Sequence, residues 1–229
     1  MQVVDFEQNS NTPPTCRVSF AQPAHKKTYL QHTNYLENTM ATAKSLTPAE
    51  LEQVLQYIQA NANAERNRLM MLLTVGSGMR VSEVAGLTIG DVQNADGTVR
   101  SEVFLAAERV KHRHARTVFI NTRLQQEIAV YIANRKWFDT TQPLFSTCRG
   151  VRCAFSANTL TQHFHYVYKR AGVKHGSSHS GRKTFLTSLA SQGVSVFVLA
   201  ALAGHKSITT TQKYVTVNDD VKRKCVELV

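Results

Sequence analysis

The chain has 229 residues, room for one full domain with an appendage or for two small ones, and enough to bury a core without disulfides or metals. Apolar residues make up an ordinary 42%, but Lys and Arg number 27 against 16 Asp and Glu, for a formal charge of +11 and a pI near 9.7. That excess calls for a polyanionic partner, nucleic acid first and an anionic membrane surface second, while the lack of any apolar run near the roughly 18 residues of a membrane span argues against a helical membrane protein.

Residues 1–44 read as an irregular arm. They are polar, carry Pro13, Pro14 and Pro23, and show no sustained period. They also lack a basic region followed by an apolar stretch, so no signal peptide is expected. Helical order begins at Thr47-Pro48-Ala49-Glu50, a capping box with Pro in the first turn, followed by Leu51, Val54, Leu55 and Ile58 at helical spacing. A second helix is expected over 64–75, ended by Gly76 and Gly78, and a short one over 81–87. Residues 99–105 and 117–120 are β-branched or apolar runs that read as strands. Between them lies a very basic loop, 109–116. Helical patterns resume near 122–135, 157–171, 179–192 and 195–203, and Val221, Val226, Leu228 and Val229 form an apolar tail. The fold class is therefore mainly α with one small antiparallel β-sheet. Cys16, Cys148, Cys153 and Cys225 form no C-x-x-C pair and have no zinc spacing, so they read as reduced thiols of an intracellular protein.

Chemistry concentrates in two segments, GSGMRVSEVAGLTIGDV at 76–92 and the stretch 177–217. The first holds Arg80 and Glu83. The second holds His179, Arg182, Gly204-His205-Lys206 and Tyr214. Two arginines are permanent cations with planar donor forks, suited to gripping one phosphate. A tyrosine hydroxyl, with a pKa near ~10, becomes a nucleophile when nearby groups help it ionise. A phosphodiester held between the arginines and in line with Tyr214 would undergo transesterification, driven by positioning and charge stabilisation. Taken singly, each motif has an ordinary reading: Arg80 as a helix-start arginine, His179-x-x-Arg182 as a solvated helix face, Gly204-His205 as a helix C-cap, Tyr214 as a half-buried aromatic. Their joint order carries the signal.

These segments together resemble the tyrosine recombinase, or phage integrase, family over roughly residues 45–217, most closely its Xer-like and bacterial integrase catalytic domains. The first segment is similar to the family's first arginine box, and HSGRKTFLTSLASQG with LAALAGHKSITTTQKYVTV is similar to the second. The resemblance implies that fold and a recombinase forming a 3′-phosphotyrosyl bond through Tyr214. Arg80 and Arg182 would bind the phosphate, Glu83 would support Arg80, and His179 would move a proton or orient the phosphate. His205 would donate a hydrogen bond to it, and Lys111 would protonate the departing 5′ oxygen. In that loop His112 and His114 compete with Lys111 as proton donors. Arg109, Arg113, Arg116, Lys183 and Lys206 are the expected DNA contacts.

No nucleotide is expected, because the covalent bond stores the energy, and no metal or other cofactor, because the cations are side chains. The implied partners are a double-stranded recombination site, three further copies of the chain on two duplexes, and an accessory DNA-bending protein. The implied setting is the cytoplasm of a bacterium, with a chromosomal, phage or plasmid gene. Two departures stand out. Lys183 occupies a position where the family often has histidine, and only about 44 residues precede the catalytic segment where many members carry a separate DNA-binding domain. The organisation expected is an arm at 1–44, a catalytic domain at 45–217 and a tail at 218–229 able to dock on a neighbour. Two other classes fit part of the pattern: a type IB topoisomerase-like enzyme, and a DNA-binding regulator without catalysis.

Overall fold

The structure, a computed structural model, describes residues 43–107, 115–135, 139–147, 153–215, 222–223 and 226–227. The loop cations Arg109, Lys111 and Arg113, with His112 and His114, lie outside the described residues, as do the arm up to residue 42 and the tail residues Val221, Leu228 and Val229.

Helix α1 (Pro48–Gln59) starts at the capping box read from the sequence: the Thr47 hydroxyl accepts from the Glu50 amide, and Glu50 reaches back to the Thr47 amide. Its Val54 and Ile58 point into the core. Helix α2 (Ala64–Ser77) is the central rod. It packs on α1, on α5 (Thr122–Ala133) and on α7 (Ser180–Ser191), so it is apolar around most of its girth, with Leu69, Met70, Met71 and Leu73 all buried. Its buried hydroxyls are satisfied locally, Thr74 on the Met71 carbonyl and Ser77 on the Leu73 carbonyl.

The expected stop at Gly76 is not where α2 ends. The helix runs to Ser77 and is capped by Gly78 at φ +66°. An interior glycine costs only about 1 kcal/mol, which the packing of α2 on three helices outweighs. Gly78 ends the helix because its left-handed φ suits glycine, and because a Cβ there would lie 2.5 Å from the Phe185 ring.

Short helices α3 (Val81–Ala85) and α4 (Ile89–Val92) lead to the strands. Strands β1 (Glu102–Leu105) and β2 (Arg116–Phe119) form one antiparallel two-stranded sheet with Val103 opposite Val118. Strand β1 is shorter than its apolar run, and β2 keeps the length of its run but starts one residue earlier than expected. Period-2 alternation sends Val103, Leu105, Arg116 and Val118 inward, and leaves Phe104 and Phe119 exposed on the other face. Helices α5, α6 (Ala157–Arg170), α7 and α8 (Val196–Ala203) match the expected helical stretches to within two residues. Helix α9 (Ile208–Gln212) was not foreseen, since its three threonines are poor helix formers.

Two apolar clusters result. The larger joins α1–α6 and the sheet. The smaller is built from Leu186, Ala190, Leu199 and Ala203, with Phe185 and Tyr214 packed against it. The candidate site lies where α2, α3, β2, α7 and α8 end beside one another. Among the described residues, no helix is long and apolar enough to cross a membrane.

Candidate active site

A helix whose carbonyl end needs partners organises the site. The last carbonyls of α8 have no intrahelical donors and form the negative end of its dipole. Three guanidinium groups from three other elements take them up in order. Arg116 Nη1 donates to the Leu202 carbonyl at 2.6 Å, Arg182 Nη2 donates to the Ala203 carbonyl, and Arg80 Nη2 reaches the Ala203 and Gly204 carbonyls at 3.4 and 3.5 Å. The chain reverses at Gly204, with φ +62°, and the His205 amide returns to the Ala200 carbonyl. A Cβ on Gly204 would sit 2.6 Å from Arg116 Cδ, so close approach as well as backbone conformation demands glycine here.

Glu83 is the anionic hub. Its side chain is fully buried and both oxygens are doubly engaged. Oε1 accepts from Arg80 Nη1 (2.8 Å) and Arg116 Nε (3.2 Å); Oε2 accepts from the Arg80 amide (2.7 Å) and Arg116 Nη2 (2.7 Å). Four donors fill the lone-pair directions of a carboxylate. Burial works to raise its pKa, but the hydrogen bonds and charge of Arg116, then those of Arg80, outweigh it and hold the carboxyl below its ordinary value. Three guanidiniums against one carboxylate leave two positive charges, matched to a bound anion.

Arg182 is 5% exposed, with Nη1 on the Gly78 carbonyl at 2.6 Å. Burial first, then the charges of Arg80 and Arg116, push its pKa down to about 9, so it remains a cation at neutral pH. The His205 ring lies between two partners: Nε2 is 3.2 Å from Arg182 Nη2 and Nδ1 is 2.8 Å from Thr211 Oγ1. Burial, then Arg182, Arg80 and Arg116, lower its pKa to about 4, so the imidazole is neutral at pH 7. Tyr214 is half-buried and stacks on His205, with ring centroids 6.1 Å apart and planes at 20°.

The structure thus gathers Arg80, Glu83, Arg182, His205 and Tyr214, residues spread over more than half the chain. His179 is exposed at the N-cap of α7, one turn ahead of Arg182, in helical backbone conformation. Lys183 is half-buried and Lys206 exposed.

Arg116 corrects the reading of it as a loop DNA contact. It opens β2, is 8% exposed, and spends its donors on Glu83 and Leu202. The sequence did hold a cue: Arg116, Val118 and Ile120 share one strand face, and the apolar pair marks that face as inward. Thr211, buried and bonded to His205, was missed too, and nothing in a run of three threonines singles it out. Among the described residues, no group of three or more His, Cys, Asp or Glu is placed to hold a metal ion.

Comparison with known proteins points the same way. The model of the phage integrase family matches residues 44–220. The chain is 32% identical over 188 residues to tyrosine recombinase XerC of Pelobacter propionicus, covering 81% of this chain and 56% of that protein. It is 32% identical over 187 residues to tyrosine recombinase XerA of Thermococcus kodakarensis, covering 80% and 62%. The chain therefore spans about three fifths of the length of these relatives. Among solved structures, the Tn1549 transposon integrase in complex with a circular intermediate DNA superposes with a TM-score of 0.63 at 25% identity, over 82% of this chain and 66% of that one. A XerA recombinase superposes with a TM-score of 0.63 at 23% identity, over 80% and 64%, which is a likeness of fold.

Proposed function

Because the chain belongs to the phage integrase family, we propose that it is the catalytic domain of a site-specific recombinase that cuts and rejoins duplex DNA through a 3′-phosphotyrosyl bond on Tyr214. The observation that carries this reading is the convergence of Arg80 and Arg182 on the Ala203 carbonyl, directly before the turn that presents His205 and its stacked Tyr214. Two fixed cations and a tyrosine within one small volume suit phosphodiester transesterification. The cations are held by carbonyls and by Glu83 before DNA arrives, so little reorganisation accompanies the build-up of charge on the pentacoordinate phosphorus.

In the proposed reaction, Arg80 and Arg182 hold the non-bridging oxygens and His205 donates to one of them. Tyr214 Oη attacks phosphorus as its proton passes to His179. The bond from phosphorus to the 5′ oxygen breaks, and Lys111 gives that oxygen a proton. A 5′ hydroxyl from a partner duplex then attacks the phosphotyrosine and restores the phosphodiester, so the bond energy is conserved throughout. Arg109, Arg113, Lys183 and Lys206 add contacts to the DNA backbone, with affinity that falls steeply as salt rises. The assembly is four copies on two duplexes, assisted by a DNA-bending protein, in the bacterial cytoplasm. The tail at 218–229 docks on a neighbouring copy; its Val226 is 73% exposed, which supports that role.

The test is trapping on nicked duplexes carrying candidate sites from the DNA flanking the gene. A denaturation-resistant adduct in the wild type, lost in Tyr214→Phe, is the expected result. DNA binding without any adduct on every site tried would reject the catalytic reading.

A further inference from the structure

No tautomer of His205 lets the protein's own groups satisfy Arg182, His205 and Thr211 together. Arg182 Nη2 can only donate, so its contact with His205 requires a lone pair on Nε2. A neutral imidazole then carries its proton on Nδ1, which donates to Thr211 Oγ1. In that arrangement the Thr211 hydroxyl hydrogen has no acceptor, since Nδ1 is the hydroxyl's single hydrogen-bond partner among the described residues, and Thr211 is fully buried. The opposite tautomer satisfies Thr211, which then donates to Nδ1, but sets Nε2–H against Arg182 Nη2–H. Either way one hydrogen lacks a protein partner, and where it belongs to the fully buried Thr211 hydroxyl the cost is about 1–3 kcal/mol. A phosphate oxygen lying between Arg182 and Nε2 removes the conflict. It accepts from both, and Thr211 donates to Nδ1.

We propose that Thr211 is a positioning residue whose hydroxyl reverses direction when phosphate binds, carrying His205 from the Nδ1–H to the Nε2–H tautomer and so creating the hydrogen-bond donor that faces the scissile phosphate. The inference rests on the proposed phosphate site. Protons balance through water: Nδ1 releases one, Nε2 gains one, and the threonine proton only rotates about its C–O bond. No net charge is taken up, in keeping with a ring that stays neutral. The site is thereby self-selecting, because His205 is a donor only when an acceptor occupies the pocket.

The experiment is ¹⁵N NMR on the full chain labelled in histidine, titrated with inorganic phosphate, with phosphate binding followed independently by calorimetry and checked against Arg182→Ala. In the free protein His205 should show a pyrrole-like Nδ1 and a pyridine-like Nε2, and saturation with phosphate should invert the pair. Thr211→Ser should bind and invert as wild type does. Thr211→Val should bind phosphate about tenfold more weakly, because binding no longer relieves an unsatisfied threonine hydroxyl. Phosphate binding with an unchanged tautomer, or a free protein already protonated on Nε2, overturns the exchange and leaves the pocket reading standing. Absence of any phosphate binding that depends on Arg182 overturns both.

Discussion

Arg116 and Glu83 form a buried, two-pronged ion pair, Nη2 to Oε2 at 2.7 Å and Nε to Oε1 at 3.2 Å, that ties the first residue of the second strand to the helix following Arg80. The same guanidinium holds the Leu202 carbonyl, so one side chain joins the sheet, the Arg80 segment and the turn carrying His205. Removing Arg116 takes two of the four donors from a buried carboxylate, and removing Glu83 leaves the buried Arg116 cation with the Leu202 carbonyl alone, losses at the lower end of about 3–5 kcal/mol. Arg116→Ala and Glu83→Ala should each lose that much in chemical denaturation, and the double variant should lose far less than the sum. Additive losses in this cycle would show that the pair acts as two independent residues.

Lysine cannot replace that arginine, because a point charge does not fill two carboxylate oxygens and a carbonyl together. Arg116→Lys should therefore fold but form phosphotyrosyl adduct at least about tenfold more slowly, with Arg80 and the His205 turn less well held. Adduct formation at the wild-type rate would limit Arg116 to a stabilising role.

Gly204→Ala places a Cβ 2.6 Å from Arg116 Cδ and forces alanine into a left-handed backbone. The backbone term alone costs about 1 kcal/mol, and displacement of Arg116 adds to it. A lowered melting temperature with adduct formation nearly abolished is expected. Unchanged stability would contradict the tight packing of this turn.

His205 titrates at about 4 in the folded chain, lowered by burial first and then by the neighbouring arginines. In the unfolded chain a histidine titrates near ~6.5. Between these values the unfolded state binds more protons, so stability rises with pH across the window and is lost as pH falls from ~6.5 towards 4. The Glu83 carboxyl, held below its ordinary value, adds a loss of the same sign at still lower pH. Thermal melts from pH 7 to pH 4 should show a steeper decline for the wild type than for His205→Gln. Parallel curves would mean that His205 is not linked to folding.

Deletion of residues 218–229 should leave a folded monomer that forms the adduct on a single duplex but no longer pairs two duplexes. Sizing of the DNA complex by sedimentation reads this directly, and full pairing by the truncated chain would remove the proposed role of the tail.

The sequence by itself determined the helical character, the position of the hairpin and the ordered set Arg80, Glu83, Arg182, His205 and Tyr214. Apolar period, capping residues and motif order are local properties, and they survive in one dimension. The C-cap that stood as the ordinary reading of Gly204-His205 is also present, with Gly204 ending the helix of Leu202 at φ +62°. Tertiary structure decided what the arginines do. Arg116 and Arg113 are equally basic in the sequence; only the strand's inward face, and the unpaired carbonyls ending the helix of Leu202, make Arg116 a buried strut. Thr211 likewise becomes distinct from Thr209 and Thr210 only when its helix packs beside His205. The physical reason is common to both: hydrogen-bond partners far apart in the chain are chosen by which donors and acceptors are buried together, and burial is a property of the packed molecule.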